Sequence, residues 1–357
     1  MNFSKIDINT AAPAQPQGAV LIIYTGGTVG MAYEKRSSHL VPFDFSQITD
    51  RVPELSQFNV LLTVLSLDQP IDSSNVTIEH WRRLAHLIRD HYNDYDGFVI
   101  LHGTDTMAYS ASALSFMLEN LGKPVIFTGA QVPIGRLRTD ARENLITALQ
   151  IAYGHVSGKP LVPEVCIFFH SLLLRGNRAK KSESSYFNAF KSGNYPELAK
   201  AGIEINYNQQ AVLHRPVNTL RVHDQLDDRV AVLKLFPGIT PQTCKSILQM
   251  PDLRGVVLET FGAGNAPTYS WFLDLVKEAV DRGVMILNVS QCEEGEVRQG
   301  QYETSKYLMD MGVIGGADIS SEAAVTKLMF VLGQNLPDTE TRRLLEANLR
   351  GEISVYS

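Results

Sequence analysis

The sequence predicts an α/β protein of two domains: a larger N-terminal domain with a mostly parallel sheet flanked by helices, and a smaller C-terminal α/β domain. The chain has 357 residues, more than one hydrophobic core usually holds. Apolar strand-like runs alternate with amphipathic segments in the first half, and a second such series begins near residue 230. Between them the pattern weakens. We therefore predict an N-terminal domain at 1–213, a linker at 214–229 and a C-terminal domain at 230–357.

The composition, net charge and cysteine content of the sequence argue against several classes of protein. Apolar residues make up 44% and charged residues 20%, as in ordinary soluble proteins. A net charge of −6 argues against nucleic acid as the main partner, because no surplus of positive charge neutralises phosphates. Three scattered cysteines without a CxxC pair argue against a disulfide framework or a metal site and fit a reducing compartment. The first 18 residues lack the apolar core of a signal peptide, and no uncharged apolar run reaches the ~18 residues of a membrane span. We expect a cytoplasmic protein with a loose N-terminal tail and no membrane partner.

The N-terminal half contains a regular series of elements. The predicted strands are Leu21–Tyr24, Asn59–Leu65, Gly97–Leu101, Pro124–Thr128 and Val165–Phe169. Thr77 is predicted to cap a helix that presents Trp81, Leu84, Ala85 and Ile88 on one face. Two more helices are predicted, one from Met107 and one from about Arg138 to Tyr153. The short joints between these elements imply a parallel sheet covered by helices. A polar stretch from Thr28 to about Arg51 is predicted as a loop or hairpin.

The C-terminal half repeats this organisation on a smaller scale. Its predicted strands are 230–236, 255–260 and 284–289, and its predicted helices are 241–249, 270–281, 322–332 and 338–349.

Candidate functional side chains follow three of the predicted strands. Thr28 comes after Gly26-Gly27, Thr104 and Asp105 come after Gly103, and a third loop carries Asp72, Ser73 and Ser74. Open α/β sheets bind ligands at the carboxyl ends of their strands. A lone threonine at such a place is more often a turn residue or helix cap than a nucleophile, but several such loops together favour a shared crevice. The phosphate-binding patterns GxGxxG and GxxxxGK[ST] and the GxSxG elbow of serine hydrolases are absent.

A threonine hydroxyl becomes a good nucleophile only when a base removes its proton. Lysine and tyrosine side chains are the candidates for that base. Lys181 follows the strand 165–169 and belongs to the same edge of the predicted sheet. The alternative interpretation of this segment is a solvated basic loop.

Seven motifs in order carry a resemblance to a known family: TGGT, DSS, HGTDTM, TGAQ, RTDARENL, RGNRxxK and GAGNAP. Together they resemble the asparaginase/glutaminase family, most closely its type I (cytoplasmic) bacterial L-asparaginases. The resemblance covers nearly the whole chain from Gly18 onward. It implies hydrolysis of L-asparagine to L-aspartate and ammonia without metal or cofactor, with Thr28 as the nucleophile that forms an acyl-enzyme.

The resemblance also implies roles for the other candidates. Thr104, Asp105 and Lys181 resemble the second triad of the family, with Lys181 as the proton acceptor and Thr104 as relay or water activator. The implied substrate pocket consists of Asp72, Ser73, Ser74, Thr104 and Asp105. In it, the two aspartates hold the α-ammonium, and Ser73 with backbone groups holds the α-carboxylate. Backbone N–H groups near Thr28 and Ala130 are the implied oxyanion donors. A homodimer or dimer of dimers is implied, in which Asn265 either reaches a neighbour's site or forms a plain turn.

The sequence departs from the family pattern at two places. A tyrosine usually precedes an apolar-Pro pair after the nucleophile, but Leu40 stands there, and Tyr33 and Tyr24 are the candidate replacements. Some type I enzymes have a second asparagine site with an arginine where this chain has Glu259 and a threonine where it has Lys180. A carboxylate would repel the carboxylate of such a ligand, so we expect no asparagine activation of that kind.

Two rival functions are less well supported by the sequence. The asparaginase-like component of a tRNA-dependent amidotransferase carries an extra N-terminal barrel, whereas only a short segment precedes TGGT here. A binding or sensor protein that lost its chemistry would have no need for intact Thr28, Thr104, Asp105 and Lys181. Ammonia release from asparagine, glutamine and a β-aspartyl amide separates these functions.

Overall fold

The computed structural model describes residues 3–33, 40–42, 48–301 and 303–355, without the side chains at 32–33, 40–42, 303 and 304. The chain forms two compact units. The first contains residues 1–192 and 196–222, and the second contains residues 193–195 and 223–357. The change of unit after Val222 falls inside the range predicted as a linker.

The first unit is organised around a nine-stranded sheet. Its strands are β1 Phe3–Asn9, β2 Ala19–Gly26, β3 Leu61–Ile71, β4 Gly97–Leu101, β5 Val125–Thr128, β6 Val165–Phe169, β7 Leu172–Arg175, β8 Ala199–Ala201 and β9 Ile205–Tyr207. Their spatial order is β1-β3-β2-β4-β5-β6-β7-β8-β9. The five strands from β3 to β6 in this order are parallel, while β1 at one edge and β7, β8 and β9 at the other are antiparallel to their neighbours. The predicted mostly parallel sheet is confirmed.

The order of the parallel strands defines where a ligand can bind. Along the chain, β2 connects to β3 on one side, and β3 then crosses to β4 on the other side of β2. The loops after β2 and β4 therefore leave in opposite directions and open a crevice between them. In doubly wound sheets this switch point is the usual binding site. It lies between the loops that carry Thr28 and Thr104.

The helices of the first unit cover this sheet. They are α1 Ile78–Asp90, α2 Met107–Met117 and α3 Ala141–Tyr153, together with a single helical turn at Ile48–Arg51. All residues of β4, β5 and β6 are buried, which explains their nearly continuous apolar sequences. On α1 the predicted face, including Trp81 and Ile88, is buried, and Thr77 forms a reciprocal capping box with His80.

The second unit contains a smaller parallel sheet. Its strands are β10 Val230–Lys234, β11 Gly255–Thr260, β12 Met285–Ser290 and β13 Ile314–Gly315, paired in that order. Its helices are α4 Pro241–Leu248, α5 Ser270–Asp281, α6 Glu303–Asp310, α7 Ser321–Gly333 and α8 Asp338–Glu346. Side chains of β11 and β12, such as Val256 and Ile286, pack with Phe272 and Val276 of α5 in one core.

Four short two-stranded antiparallel sheets lie outside the two larger sheets in the described residues. They join Met31–Tyr33 with Leu40–Pro42, Leu118–Glu119 with Arg221–Val222, His155–Val156 with Lys159–Pro160, and Lys180–Lys181 with Phe190–Lys191. The first of these pairs lies in the stretch predicted as a loop or hairpin.

The expectation of a loose N-terminal tail is wrong. Residues of β1 pair with β3 from Phe3 opposite Leu67 to Asn9 opposite Leu61. Within β1 the half-buried Ile6 and Ile8 alternate with exposed polar residues, the period of a strand with one covered face. The segment is short and polar on its other face, so composition alone concealed it.

Two further observations concern the chain as a whole. Among the residues that the structure describes, no helix combines the length and apolar character that crossing a membrane requires. Cys166 and Cys244 are buried free thiols, and Cys292 is an exposed one.

Candidate active site

The loop after β2 carries Thr28 on a short 3-10 turn, Thr28–Gly30. Gly26 and Gly27 precede it with φ values of 139° and 83°, which side-chain-bearing residues rarely adopt. A methyl group on Gly27 would lie 2.5 Å from Gly103 N, so the absence of a side chain lets the two loops touch. Within the described part of the chain, the half-buried Thr28 hydroxyl makes no hydrogen bond.

The loop after β3 packs against the same place. A methyl group on Gly103 would lie 2.5 Å from Ser73 Oγ, and Thr106 Oγ1 donates a hydrogen bond to Ser73 O at 2.7 Å. Glycine at position 103 is therefore what brings the Ser73 loop and the Thr104 loop into contact. The three loops thus meet at Gly103, which contacts the main chain of the Gly27 loop on one side and the Ser73 side chain on the other.

Asp72 caps the turn Ser73–Asn75 in this loop. Its Oδ1 accepts hydrogen bonds from Ser74 N and Ser74 Oγ, both at 2.9 Å. These two donors lower the pKa of Asp72 below its ordinary value, so the exposed carboxylate keeps its charge in mildly acidic solution. Ser73, in contrast, is buried. The Ser74 hydroxyl is directed at Asp72, so it orients that carboxylate.

Thr104, Asp105 and Lys181 form a direct cluster. Lys181 Nζ donates to Thr104 Oγ1 at 2.8 Å and to Asp105 Oδ1 at 2.6 Å. The Lys181 side chain is only 18% exposed, although 77 residues separate it from Thr104. The Lys181 amine is thus hydrogen-bonded to the Thr104 oxygen and does not extend into bulk water. When such an amine has lost a proton, its lone pair can accept the threonine proton over the same distance.

The loop after β5 is held by residues for which the sequence alone predicted no role. The Asp140 carboxylate accepts from Gln131 N and Val132 N, and Asn144 Nδ2 donates to Gly129 O at 3.0 Å. Both residues belong to the RTDARENL motif at the start of α3. They hold the segment around Ala130 at the edge of the crevice. Their signal was a pair of short polar side chains, Asp140 and Asn144, one helical turn apart at the start of the helix.

The structure describes the side chain of only one of the two tyrosines that were suggested as replacements for the family's tyrosine. Tyr24 is 1% exposed, its hydroxyl donates to Gly30 O at 2.9 Å, and burial raises its pKa above the ordinary value. A phenol that holds its proton this tightly is a poor base, so the suggestion that Tyr24 replaces the family's tyrosine is not supported. It instead anchors the turn that carries Thr28. The side chains of Tyr33 and Leu40 lie outside the described residues.

Asn265 and Glu259, which the sequence also singled out, belong to the second unit. Asn265 closes a tight turn through backbone hydrogen bonds with Phe261. Glu259 Oε1 accepts from Ser321 Oγ at 2.7 Å, and its Oε2 lies 3.4 Å from Lys234 Nζ. In the residues that can be described, no three histidine, cysteine or acidic side chains come together as a metal site would require.

Comparison with known proteins identifies the family of this chain. The family model "Asparaginase, N-terminal" matches residues 19–213, and "Glutaminase/Asparaginase C-terminal domain" matches residues 229–345. The chain is 43% identical to L-asparaginase 1 of Escherichia coli (strain K12) over 94% of this chain and 98% of that protein. It is 34% identical to a component of the glutamyl-tRNA(Gln) amidotransferase of Pyrococcus abyssi, over 97% of this chain and 78% of that protein. The crystal structure of L-asparaginase I from Vibrio cholerae superimposes with a TM-score of 0.84 at 39% identity, over 95% of this chain and 99% of that one.

Proposed function

This chain belongs to the asparaginase family, and from that premise we propose that it hydrolyses L-asparagine to L-aspartate and ammonia through a threonine nucleophile and an acyl-enzyme. The observation that carries the proposal is the Lys181 amine, 2.8 Å from Thr104 Oγ1 and 2.6 Å from Asp105 Oδ1. A lysine directed at a threonine beside a strand-end crevice is the arrangement that proton transfer to and from water or a hydroxyl needs.

In the first half-reaction, Thr28 Oγ1 attacks the carbon of the substrate's side-chain amide and loses its proton to a base. The carbonyl oxygen becomes an oxyanion, which backbone N–H groups near Thr28 and Ala130 stabilise. One such donor is typically worth roughly 3–4 kcal/mol of transition-state stabilisation. The C–N bond then breaks, the nitrogen takes up a proton, and ammonia leaves an ester on Thr28.

In the second half-reaction, water attacks this ester. The Thr104–Lys181 pair accepts the proton of the water, and the Thr28 oxygen is reprotonated as the ester bond breaks. Asp105 compensates the charge that the Lys181 amine gains with this proton, because its carboxylate oxygen lies in direct contact with that amine. L-aspartate leaves the crevice.

Binding of the amino acid is assigned to the rim of the crevice. The carboxylates of Asp72 and Asp105 hold the α-ammonium, and Ser73 with backbone donors holds the α-carboxylate. Ser74 orients Asp72 through its two hydrogen bonds. In glutamine, one more methylene displaces the amide by more than ~1 Å from the hydroxyl, and a misplacement of that size can cost about a hundredfold in rate.

The test is to measure ammonia release from L-asparagine, L-glutamine and a β-aspartyl amide in parallel with the purified full chain. We expect asparagine to exceed glutamine in kcat/KM by roughly a hundredfold. Equal rates with glutamine would favour an ammonia-supplying component of an amidotransferase. No release from any of the three, with asparagine binding retained, would favour a binding protein.

Two further properties accompany the proposal. The family resemblance implies a homodimer or a dimer of such dimers, which sedimentation of the full chain measures directly. A cytoplasmic location follows from the same resemblance and from the three unpaired cysteines.

A further inference from the structure

His102, the first residue of the HGTDTM motif, takes no part in the chemistry described above, yet it lies at the centre of the loops. Its side chain is 2% exposed. Nδ1 is 2.7 Å from Gly103 O, and Nε2 is 3.0 Å from Ser110 Oγ. Ser110 Oγ in turn accepts a hydrogen bond from Trp81 Nε1 at 2.9 Å. A chain of hydrogen bonds thus runs from α1 through α2 to the Gly103 carbonyl.

The donor and acceptor of each hydrogen bond in this series follow from the groups that form it. The Trp81 indole N–H can only donate, and the Gly103 carbonyl can only accept. The Nδ1 atom of His102 must therefore carry the hydrogen. If the ring is neutral, Nε2 has a lone pair, and the Ser110 hydroxyl directs its own hydrogen to it.

The surroundings keep the ring neutral. Burial lowers the pKa of His102 to about 4, with the bond to Gly103 O raising it slightly and the nearby His80 on α1 lowering it. At neutral pH the ring is therefore uncharged and present as a single tautomer. Both nitrogens are occupied by protein partners, so His102 cannot act as a base towards substrate.

The carbonyl that His102 holds belongs to the peptide that joins Gly103 to Thr104. On its other sides this segment touches the loops of Gly27 and Ser73, as the close approaches of their atoms to Gly103 indicate. The backbone N–H of His102 also donates to Thr128 O at 3.0 Å. A rotation of the Gly103–Thr104 peptide would move the Thr104 hydroxyl relative to the Lys181 amine.

We propose that His102, an Nδ1–H tautomer whose ring is held in place by the Trp81–Ser110 relay, is a positioning residue that fixes the Gly103–Thr104 peptide and with it the contact between Thr104 Oγ1 and Lys181 Nζ. This inference rests on the proposed function, because it serves the same proton-accepting pair. Ser110 is its support on the far side of the ring, since the Ser110 hydroxyl donates to Nε2 and fixes the direction of Nδ1.

The kinetic test compares three variants of α2. Ser110→Ala removes the donor to Nε2, and we expect kcat for asparagine to fall about tenfold with KM within about twofold, because a shift of less than 1 Å misplaces Thr104 without removing a binding group. Ser110→Thr keeps the hydroxyl and should restore most of kcat. Ser115→Ala is the matched control, because among the described residues the Ser115 hydroxyl bonds only to Ala111 O of its own helix, and its kcat should equal that of the wild type.

A second readout is independent of activity. In ¹⁵N-histidine-labelled protein, the His102 signals, assigned with His102→Asn, should show a protonated Nδ1 and an unprotonated Nε2 at neutral pH. In Ser110→Ala we expect Nδ1 to stay protonated, because Gly103 O still requires its hydrogen, and the Nε2 signal to shift, because that atom has lost its donor. This spectrum reports on His102 even if the wild type releases no ammonia from asparagine, a result that would contradict only the proposed function. A wild-type ring protonated at Nε2 would overturn the inference, and so would an unchanged kcat in a folded Ser110→Ala protein.

Discussion

Lys181 contacts both Thr104 and Asp105 directly, and its predicted effect is the largest for a non-nucleophile. Lys181→Met keeps much of the side chain's length but removes the amine that lies on Thr104 and Asp105. We expect kcat for asparagine to fall by roughly 10²–10⁴-fold, the usual contribution of a general base. Lys180→Met is the matched control from the same short strand, and it should stay within about twofold. Similar losses in both variants would mean that the basic segment acts only through its overall charge.

Thr28 can be tested by removing its hydroxyl alone. Thr28→Ala should lower turnover by at least roughly 10³-fold, as loss of a nucleophile does, while the fold and aspartate binding persist. Steady-state ammonia release and thermal shift with aspartate measure the two properties. Thr243→Ala removes an exposed hydroxyl on α4 whose hydrogen bond in the described part of the chain is with Thr240, and it should behave as the wild type. A Thr28→Ala protein that keeps most of its activity would show that another residue is the nucleophile.

Tyr24 is expected to matter for geometry and not for proton transfer. Tyr24→Phe removes the donor to Gly30 O, which should cost about 1 kcal/mol of unfolding free energy and lower kcat no more than about tenfold. Because burial raises the pKa of Tyr24, its proton stays bound across the assay range, and the shape of the pH–rate profile should not change. Tyr207→Phe is the comparison, since burial also raises the pKa of this β9 tyrosine, to about 12. An alkaline or acidic limb lost only in Tyr24→Phe would identify Tyr24 as the base after all.

At the scale of elements, burial decides how well sequence patterns predict structure. The strands 97–101, 165–169 and 255–260 have the predicted bounds, because their side chains are almost entirely buried and their sequences are almost continuously apolar. The antiparallel strands β7, β8 and β9 were missed. The turn into β7 uses His170 and Ser171 with positive φ values of 45° and 71°, so the glycine that usually marks such a turn is absent.

The candidate site was predictable to the extent that it depends on parallel strands. Thr28, Ser73 and Thr104 follow three neighbouring strands, so their convergence follows from the sheet topology. Lys181 reaches Thr104 through the pairing of Lys180–Lys181 with Phe190–Lys191, a nonlocal contact that no local pattern encodes. The roles of Tyr24 and His102 likewise depend on buried hydrogen bonds between distant residues. Only the three-dimensional structure reveals those bonds.

The last described segment is attached to α7 by a buried ion pair. Lys327 Nζ lies 2.7 Å from Glu352 Oε1 with neither side chain exposed, and the Glu352 carboxylate also accepts from the backbone N–H groups of Leu349 and Arg350. Glu352→Gln leaves a buried cation without its partner, so we expect a loss of about 3–5 kcal/mol in the free energy of unfolding by urea. Glu346→Gln, on the exposed side of α8, should change it by no more than about 0.5 kcal/mol. Equal stability of the two variants would show that the pair contributes nothing.

At the scale of the whole molecule, the chain is expected to respond to asparagine without cooperativity. Glu259 is 12% exposed and accepts a hydrogen bond from Ser321, so a carboxylate stands where the family resemblance implies an anion-binding arginine in enzymes with a second site. We predict a hyperbolic rate curve in asparagine with a Hill coefficient near 1. Glu259→Gln should leave that shape unchanged. A sigmoidal curve that disappears when Glu259 is changed would contradict this prediction.

The contact of Gly27 with Gly103 has a consequence for attempts to redesign specificity. The bottom of the crevice is built from main chain pressed against main chain, so a larger residue at either position would push the loops apart instead of reshaping the cavity. Adaptation to bulkier amides, by selection or in the laboratory, therefore has to act on other side chains of the outer wall and must keep Asp72, to which binding of the α-ammonium is assigned, and Ser74, which orients it.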